Sequence, residues 1–248
     1  MKRLLILMLA AASLGAADKR KSGAEFMSES TRAMQRDDSQ NPGMLWVGDG
    51  EAMWSEKVNG KSCAGCHGDA AKSMRGVAAR FPAFDKHSKL PINLGQRINQ
   101  CRSTRQGAEP FKFESKELLS IESYVALQSR GMPVNPPRDA GTKAATARGE
   151  KLFSQRMGQL NLSCAQCHDD NAGGRLAGSP IPQGHASAYP IYRLEWQGMG
   201  SLQRRLRNCM SGVRAEVPPY GALELVELEL FLAARAKGMA IESPGVRP

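Results

Sequence analysis

The sequence predicts a mainly α-helical protein made of two similar domains in tandem, related by internal duplication. Three observations lead to this prediction. Four short segments of the first half recur in the same order about 100 residues later. The segments that close the two halves, residues 115–127 and 223–233, place apolar residues at helical spacing. The alternation of apolar and polar residues that is typical of strands is nearly absent.

Residues 1–17 have the three-part layout of a secretory signal peptide. Lys2 and Arg3 precede an apolar run that ends in small residues, and we expect cleavage after Ala17. The run is short for a membrane anchor, which needs about 20 apolar residues, and no later stretch is suited to span a membrane. We therefore expect a soluble protein of the bacterial periplasm, a compartment that suits its six cysteines.

The remaining chain divides into an arm and two domains. Residues 18–42 are polar and are predicted to form an arm that lies across another surface. Prolines in 133–137 cannot continue a helix, so they separate a first domain, 43–137, from a second, 138–248. The net charge of +10 favours anionic substrates or acidic protein partners, or only solvates the surface. No recognition motif accompanies it, which argues against nucleic-acid binding.

The recurring segments share residue types as well as order. The first begins with Gly-Glu and leads to Cys-x-x-Cys-His, the third has Leu-x-x-Arg and ends in Cys, and the fourth ends in Gly-Met. The pairs are 50–57 with 149–156, 63–67 with 164–168, 94–101 with 202–209, and 124–132 with 230–239.

The two Cys-x-x-Cys-His motifs have the spacing of covalent haem attachment, in which the cysteines bond the vinyl groups and the histidine binds the iron. A redox dithiol or half of a zinc site would also use paired cysteines, but two copies in an exported chain favour haem. We therefore predict two covalently bound haem c groups in two cytochrome c-like domains. The predicted attachment residues are Cys63, Cys66, Cys164 and Cys167, and the predicted proximal ligands are His67 and His168.

Cys101 and Cys209 occupy equivalent positions in the two halves, and two roles are open to them. A disulfide is the default in an exported protein. Because the positions are equivalent, a disulfide would require the two domains to face each other there. Ligation of each iron by the cysteine of its own half needs no such coincidence, and thiolate is a strong donor to haem iron. The sequence favours ligation.

Other candidates for the distal position are two histidines and two methionines. His87 and His185 lie one in each half but at different offsets from their motifs, and a surface role is favoured for them. Met132 and Met239 lie at corresponding places, where packing at the end of the last helix is the favoured role.

Arg97 and Arg205 each precede the distal cysteine by four residues, so on a helix each shares a face with it. A guanidinium there lowers the thiol pKa and can hold a small oxyanion. For Arg97 we favour pairing with a haem propionate. For Arg205 we favour substrate binding, because Arg204 and Arg207 add further positive charge near Cys209.

With these residues the chain resembles the SoxA family, a subunit of the SoxAX cytochromes of bacterial sulfur oxidation. The resemblance covers nearly all of the mature chain. It includes Asn41-Pro42-Gly43, Trp46 and Gly48-Asp49-Gly50 before the first haem motif, and Gly238-Met239 at the end of the second half.

The resemblance implies an L-cysteine S-thiosulfotransferase, which joins thiosulfate oxidatively to a cysteine of the carrier protein SoxYZ. Two electrons leave through haem to a cytochrome c acceptor, and the monohaem cytochrome SoxX is the heterodimer partner. The resemblance also implies that Cys209 is an iron ligand carrying a persulfide sulfur, that Arg205 lies beside it, and that Cys101 is the distal ligand of the first haem. The intact first motif implies the dihaem form, since some members have a disulfide there.

The residues also leave other functions open. A dihaem electron carrier would use its cysteine ligands only to set the potential, and a thiosulfate dehydrogenase would form tetrathionate without a carrier. A dihaem peroxidase is less favoured, because it needs an open or labile distal position. We expect the first haem to be structural or to relay electrons, and the second to be the site of chemistry.

Overall fold

The structure is a computed structural model that describes residues 18–248. The predicted signal peptide, residues 1–17, lies outside the described residues. Within residues 18–248 no helix combines the length and the apolar character needed to cross a bilayer.

The N-terminal arm packs on the end of the chain. It contains a short 3-10 helix, Gly23–Phe26, and helix α1, Glu29–Arg36, which lies against the C-terminal strand Gly245–Arg247. Asn41 Nδ2 donates to the carbonyl oxygen of Pro244 at 2.9 Å. These contacts tie the arm to the second half, and an ion pair between Asp38 and Arg130 at 2.7 Å joins it to the first domain as well.

The two halves repeat one set of elements. In the first half these are α2 Gly43–Ser55, α3 Cys63–His67, α4 Ala70–Ser73, a 3-10 turn Ala78–Arg80, strands β1 Ala83–Asp85 and β2 Leu90–Ile92, α5 Leu94–Cys101 with a π-helical extension Arg102–Gln106, and α6 Lys116–Leu127. In the second half they are α7 Ala140–Ser154, α8 Cys164–His168, β3 Arg175–Leu176, β4 Ser179–Pro180, β5 Ile191–Arg193, β6 Gly198–Gly200, α9 Leu202–Gly212, α10 Leu223–Arg235 and β7 Gly245–Arg247. The predicted mainly α fold with internal duplication is confirmed.

The first and last helices of each half pack closely, and one glycine permits this in each case. A Cβ at Gly50 in α2 would overlap the carbonyl of Ser120 in α6, and a Cβ at Gly149 in α7 would overlap the carbonyl of Glu227 in α10. The two glycines open the recurring Gly-Glu segment, so the repeat in the sequence marks this close approach of two backbones.

Apolar residues form a core in each half and a smaller cluster between them. Aromatic pairs lie at equivalent places, with Trp54 against Tyr124 at 6.0 Å and Phe153 against Phe231 at 5.2 Å between ring centroids. The cluster that joins the halves contains Ala79, Val134, Ala233, Ala236 and Ile241. The proline-containing segment 133–137 at the end of the first domain thus contributes to the packing between the halves.

A cavity of about 100 Å³ also lies between the halves, and it is lined by glutamates. Glu122 in α6 and Glu229 in α10 occupy equivalent positions, two residues after the contacts with Gly50 and Gly149. Asn93 Nδ2 donates to Glu229 Oε1 at 3.2 Å. Two carboxyl groups therefore meet where the duplicated helices face each other.

The strands form short sheets that position the loops around α5 and α9. β1 and β2 pair as an antiparallel hairpin, and β5 and β6 pair in the same way, with Arg193 opposite Gly198. β7 adds to β5 in parallel, with Ile191 opposite Gly245. Each hairpin leads directly into the helix that carries the distal cysteine.

Candidate functional site

Each Cys-x-x-Cys-His motif forms a single helical turn with a serine cap. The Oγ of Ser62 accepts a hydrogen bond from the N–H of Gly65 at 2.9 Å, and the Oγ of Ser163 accepts one from the N–H of Gln166 at 3.3 Å. A side-chain cap satisfies a backbone donor that the short helix leaves unpaired. The two motifs are therefore held in the same way.

The histidine of the second motif is oriented by a backbone carbonyl. His168 Nδ1 lies 2.7 Å from the carbonyl oxygen of Pro182. Because a carbonyl only accepts, Nδ1 carries the proton and the other ring nitrogen keeps its lone pair, which is how metal-ligating histidines are commonly held. In the first half, His67 lies against Trp54, with 5.8 Å between the ring centroids.

The distal cysteines lie at the motif of their own half, and all six cysteines are free thiols. Burial raises the pKa of Cys63, and the charge of Cys101 raises it further. Burial and the charge of Cys209 raise the pKa of Cys164 to about 11. Axial ligation requires each distal cysteine to lie near the motif of its own half. A disulfide between Cys101 and Cys209 would not require either cysteine to lie there.

The thiol of Cys209 interacts with His168 and with two arginines. Burial acts to raise the pKa of Cys209, but a hydrogen bond with His168 and the charges of Arg205 and Arg193 outweigh it and lower the pKa. A lowered thiol pKa favours the thiolate, which is both the nucleophile and the metal ligand. Nitrogen and thiolate sulfur facing each other are suitable axial donors for haem iron, so these residues fit the group that the motif implies.

The equivalent arginine of the first half is neutralised. Arg97 forms an ion pair with Asp85 at 2.9 Å, and Asp85 is nearly buried, with 6% of its side chain exposed. The backbone N–H of Ser88, together with Gln100 and Arg97, holds the pKa of that carboxyl well below its usual range. The structure thus pairs Arg97 with a carboxylate of its own chain, where we expected a haem propionate.

The second half has an arginine where the first has this aspartate. Asp85 ends β1 and Arg193 ends β5, and each is twelve residues before the arginine of the following helix, Arg97 or Arg205. Within residues 18–248 Arg205 makes no ion pair with a carboxylate. Arg193 pairs with Glu195 at 2.7 Å, and burial and the charge of Arg205 lower the pKa of Arg193.

The additional positive charge near Cys209 was expected from Arg204 and Arg207, but the structure gives these two arginines other partners. Arg204 lies over the ring of Trp196, 4.2 Å from its centroid, and Arg207 lies over Tyr220 at 4.1 Å and donates to the carbonyl of Pro218. Both side chains are thus held by other partners. The second arginine acting on Cys209 comes from β5, which sequence proximity to Cys209 did not indicate.

The alternative distal ligands lie in other surroundings. His87 is exposed in the turn between β1 and β2. His185 lines a cavity shared with His168 and basic residues of the arm, and burial, then Arg235 and Arg20, lower its pKa to about 4.

The methionines lie in the segments that join the halves. Met239 packs against the apolar cluster between the domains. The backbone of Met132 accepts a hydrogen bond from Ile241, at 2.9 Å. Both positions agree with the packing role that the sequence favoured.

The duplicated helical fold, with a Cys-x-x-Cys-His turn and a facing cysteine in each half, defines a c-type cytochrome with tandem domains and covalently bound haem c. The family model described as "SoxA/TsdA, cytochrome c domain" matches the chain twice, at residues 49–134 and 148–241. The chain belongs to this SoxA/TsdA cytochrome c family.

Curated relatives and a crystal structure are similar over most of their length. "L-cysteine S-thiosulfotransferase subunit SoxA" of Pseudaminobacter salicylatoxidans is 40% identical, over 93% of this chain and 82% of that protein. The protein of the same name from Paracoccus pantotrophus is 37% identical, over 91% and 78%. The crystal structure of SoxXA from P. pantotrophus superposes with a TM-score of 0.88 at 36% identity, covering 92% of this chain and 87% of that chain.

Proposed function

We propose that this chain is the SoxA-type subunit of an L-cysteine S-thiosulfotransferase that works in the periplasm and carries two haem c groups. It conjugates thiosulfate to a cysteine of a SoxYZ-type carrier, together with a SoxX-type monohaem partner. Curated relatives bear this activity in their names, at up to 40% identity over nearly the whole chain. Residues 1–17, with their signal-peptide pattern, support export.

The observation that carries the proposal is the chemistry around Cys209. A partly buried thiol with a lowered pKa faces His168 and lies beside Arg205, whose guanidinium has no carboxylate partner within residues 18–248. Thiosulfate is a small dianion, and a fixed guanidinium can bind its oxygen atoms in a bidentate manner. The first half lacks this property, because Asp85 already neutralises Arg97.

The overall reaction is a two-electron oxidation. One S–S bond forms between the outer sulfur of thiosulfate and the sulfur of the carrier cysteine, the thiol proton leaves, and one electron passes to each of two oxidised cytochrome c molecules. The haem supplies the route for these electrons when bound. Arg205 binds and orients the anion, and Cys209 presents its sulfur to the incoming sulfur atom.

The proposed residues have distinct roles. Cys164, Cys167 and His168 hold the second haem, with Cys209 as its distal ligand. Cys63, Cys66 and His67 hold the first, with Cys101 as its distal ligand. Cys209 and Arg205 are the catalytic residues.

A matched pair of variants tests the proposal in the assembled complex. Cys209→Ser and Cys101→Ser make the same change at equivalent positions. Each variant is incubated with its monohaem partner, carrier protein, thiosulfate and oxidised cytochrome c, and the carrier is then weighed by mass spectrometry. We expect wild-type protein to add thiosulfate to the carrier, Cys209→Ser to abolish the addition, and Cys101→Ser to retain a measurable rate.

Two outcomes would contradict the proposal and identify its rivals. Tetrathionate accumulating at the same rate without carrier would assign the chain to thiosulfate dehydrogenation. Electron transfer with no modification of the carrier under any condition would leave only an electron-carrying cytochrome.

A further inference from the structure

The turn that carries the motif histidine is supported differently in the two halves. In the first half, Trp54 Nε1 donates to the carbonyl oxygen of Gly68, the residue after the motif, at 2.9 Å. Phe153 takes the place of Trp54 in the second half, and its ring has no hydrogen to donate. Asp169, the residue after the second motif, is bound instead by Arg235 of α10, whose Nη2 lies 2.5 Å from Asp169 Oδ1.

Arg235 also connects this turn to the loop that orients the histidine. Its Nη2 donates to the carbonyl oxygen of Gln183 at 3.2 Å. The neighbouring residue Pro182 supplies the carbonyl oxygen that lies 2.7 Å from His168 Nδ1. On the other side Gly184, with φ of +69°, lies so close that a Cβ there would be 3.3 Å from the Cγ of His168. The loop is therefore packed on the histidine and fastened by Arg235.

The N-terminal arm binds both the end of α10 and this loop. Arg20 Nη1 donates to the backbone carbonyl oxygens of Arg235 at 3.0 Å and Lys237 at 2.8 Å, where a helix leaves carbonyl groups unpaired. The backbone N–H of Lys21 donates to Gln183 Oε1 at 2.7 Å. Arg20 thus anchors the arm so that the next residue along the chain holds the side chain of Gln183.

We propose that the N-terminal arm positions the proximal ligand of the second haem: through Arg20, Arg235 and Gln183 it holds the loop 182–184 against His168 and so lowers the reduction potential of that haem. This inference rests on the proposed function in taking His168 as the proximal ligand. Arg20 and Gln183 are positioning residues, because they act through the histidine.

The direction of the effect follows from the hydrogen bond at Nδ1. A bond from Nδ1–H to a carbonyl oxygen makes the imidazole a stronger donor through its other ring nitrogen. A stronger axial donor stabilises ferric relative to ferrous iron and lowers the potential. Loosening the loop should therefore raise the potential. Removing a positive charge nearby has the opposite sign, because it favours the more positively charged ferric state.

Lys19 provides a matched control for charge. Lys19, Arg20 and His168 line the same cavity of about 360 Å³. Gln183 Nε2 donates to the backbone carbonyl oxygen of Lys19 at 3.5 Å, so the substitution Lys19→Gln removes the charge and keeps this acceptor. We expect Lys19→Gln to leave the potential of the second haem unchanged or to lower it.

Spectroelectrochemical titration of the holoprotein complex tests the proposal. Cys101→Ser and Cys209→Ser each change the distal ligand of one haem and so assign the two potentials of this chain. We expect Arg20→Gln to raise the potential of the second haem by up to about tenfold in the ferric–ferrous equilibrium, which is about 59 mV for one electron. Arg20→Lys should recover part of the wild-type value, because its ammonium group also donates to carbonyl oxygens.

A second variant reaches the same loop from its other side. Gln183→Ala removes the acceptor of the arm's N–H and should shift the potential of the second haem in the same direction as Arg20→Gln. The EPR signal of the ferric second haem should change in both variants, since it reports the axial ligands, while the signal of the first haem stays as in wild type.

The outcomes separate this inference from the proposed function. Wild-type potentials in both Arg20→Gln and Gln183→Ala, equal shifts at the two haems, or a lowered potential in Arg20→Gln would refute the inference while the proposed function stood. A wild-type complex that never modifies the carrier would refute the proposed function instead, and the potentials would still decide the role of the arm.

Discussion

Replacing Glu122 by glutamine should stabilise the protein at neutral pH and remove part of the pH dependence of its stability. Burial, together with the negative charges of Glu229 and Glu114, raises the pKa of Glu122 from 4.5 to about 8. The native state therefore keeps a proton on Glu122 at pH 7, whereas the unfolded chain has released it. A group whose pKa is raised on folding stabilises the native state less and less as pH rises above the unfolded pKa.

The size of the effect follows from the linkage between pKa and stability. One pKa unit corresponds to about 1.4 kcal/mol, so the rise from pH 4.5 to pH 7 costs the wild-type protein about 3 kcal/mol through Glu122. Glutamine has nearly the same shape and no charge to bury. The difference in free energy of unfolding between Glu122→Gln and wild type should therefore grow by about that amount between pH 4.5 and pH 7, and level off above pH 8.

Denaturant unfolding of the holoprotein across this pH range measures the difference. Glu224→Gln, on an exposed turn of α10, provides a control that removes a surface carboxylate by the same substitution. A constant difference between Glu122→Gln and wild type across the range would refute the reasoning, because it would mean that Glu122 has the same proton affinity in both states.

Three further predictions concern the repeated elements and are read from the free energy of unfolding of the holoprotein. Gly149→Ala should destabilise the protein by several kcal/mol, because its Cβ would overlap the backbone of α10. Gly48→Ala, with open space around it, should be neutral or stabilising by up to about 1 kcal/mol. Equal effects of the two substitutions would contradict the close approach of α7 and α10. Ser163→Ala should cost about 1 kcal/mol through loss of the cap on α8, and an unchanged midpoint would show that the cap contributes nothing. Trp54→Phe should cost at least about 1 kcal/mol, since it removes the hydrogen bond to the carbonyl of Gly68 at 2.9 Å together with apolar surface, and wild-type stability would count against that bond.

The duplication could be predicted from sequence because its markers are local. Gly50 and Gly149 are recognisable by their neighbours, and the structure shows the close helix contacts that require them. The haem motifs have fixed spacing, and the distal cysteines could be paired with them because each half repeats the same order. Fold class and candidate ligands therefore follow from patterns within short stretches of chain.

The electrostatics of the site could not be predicted in the same way. Arg204 and Arg207 flank Arg205 in sequence, but helical geometry directs them toward Trp196 and Tyr220. Arg193 lies sixteen residues before Cys209, and its charge lowers the pKa of that thiol because β5 and β6 fold the chain back before α9. A signal for Arg193 was present, since aligning the two halves on their distal cysteines places it opposite Asp85.

The two halves thus differ least where they build the fold and most in the charged residues near the distal cysteine. Arg97 and Arg205 are both arginine, and Cys101 and Cys209 are both cysteine. These duplicated residues alone therefore cannot explain a difference in function between the two halves. The hairpin of the first half contributes to the difference, because Asp85 accepts a hydrogen bond from Arg97 and neutralises the charge of its guanidinium. An anion approaching the first half meets the ion pair of Arg97 and Asp85, whereas Arg205 in the second half has no carboxylate partner within residues 18–248. The different partners of Arg97 and Arg205 therefore distinguish two otherwise similar cysteines.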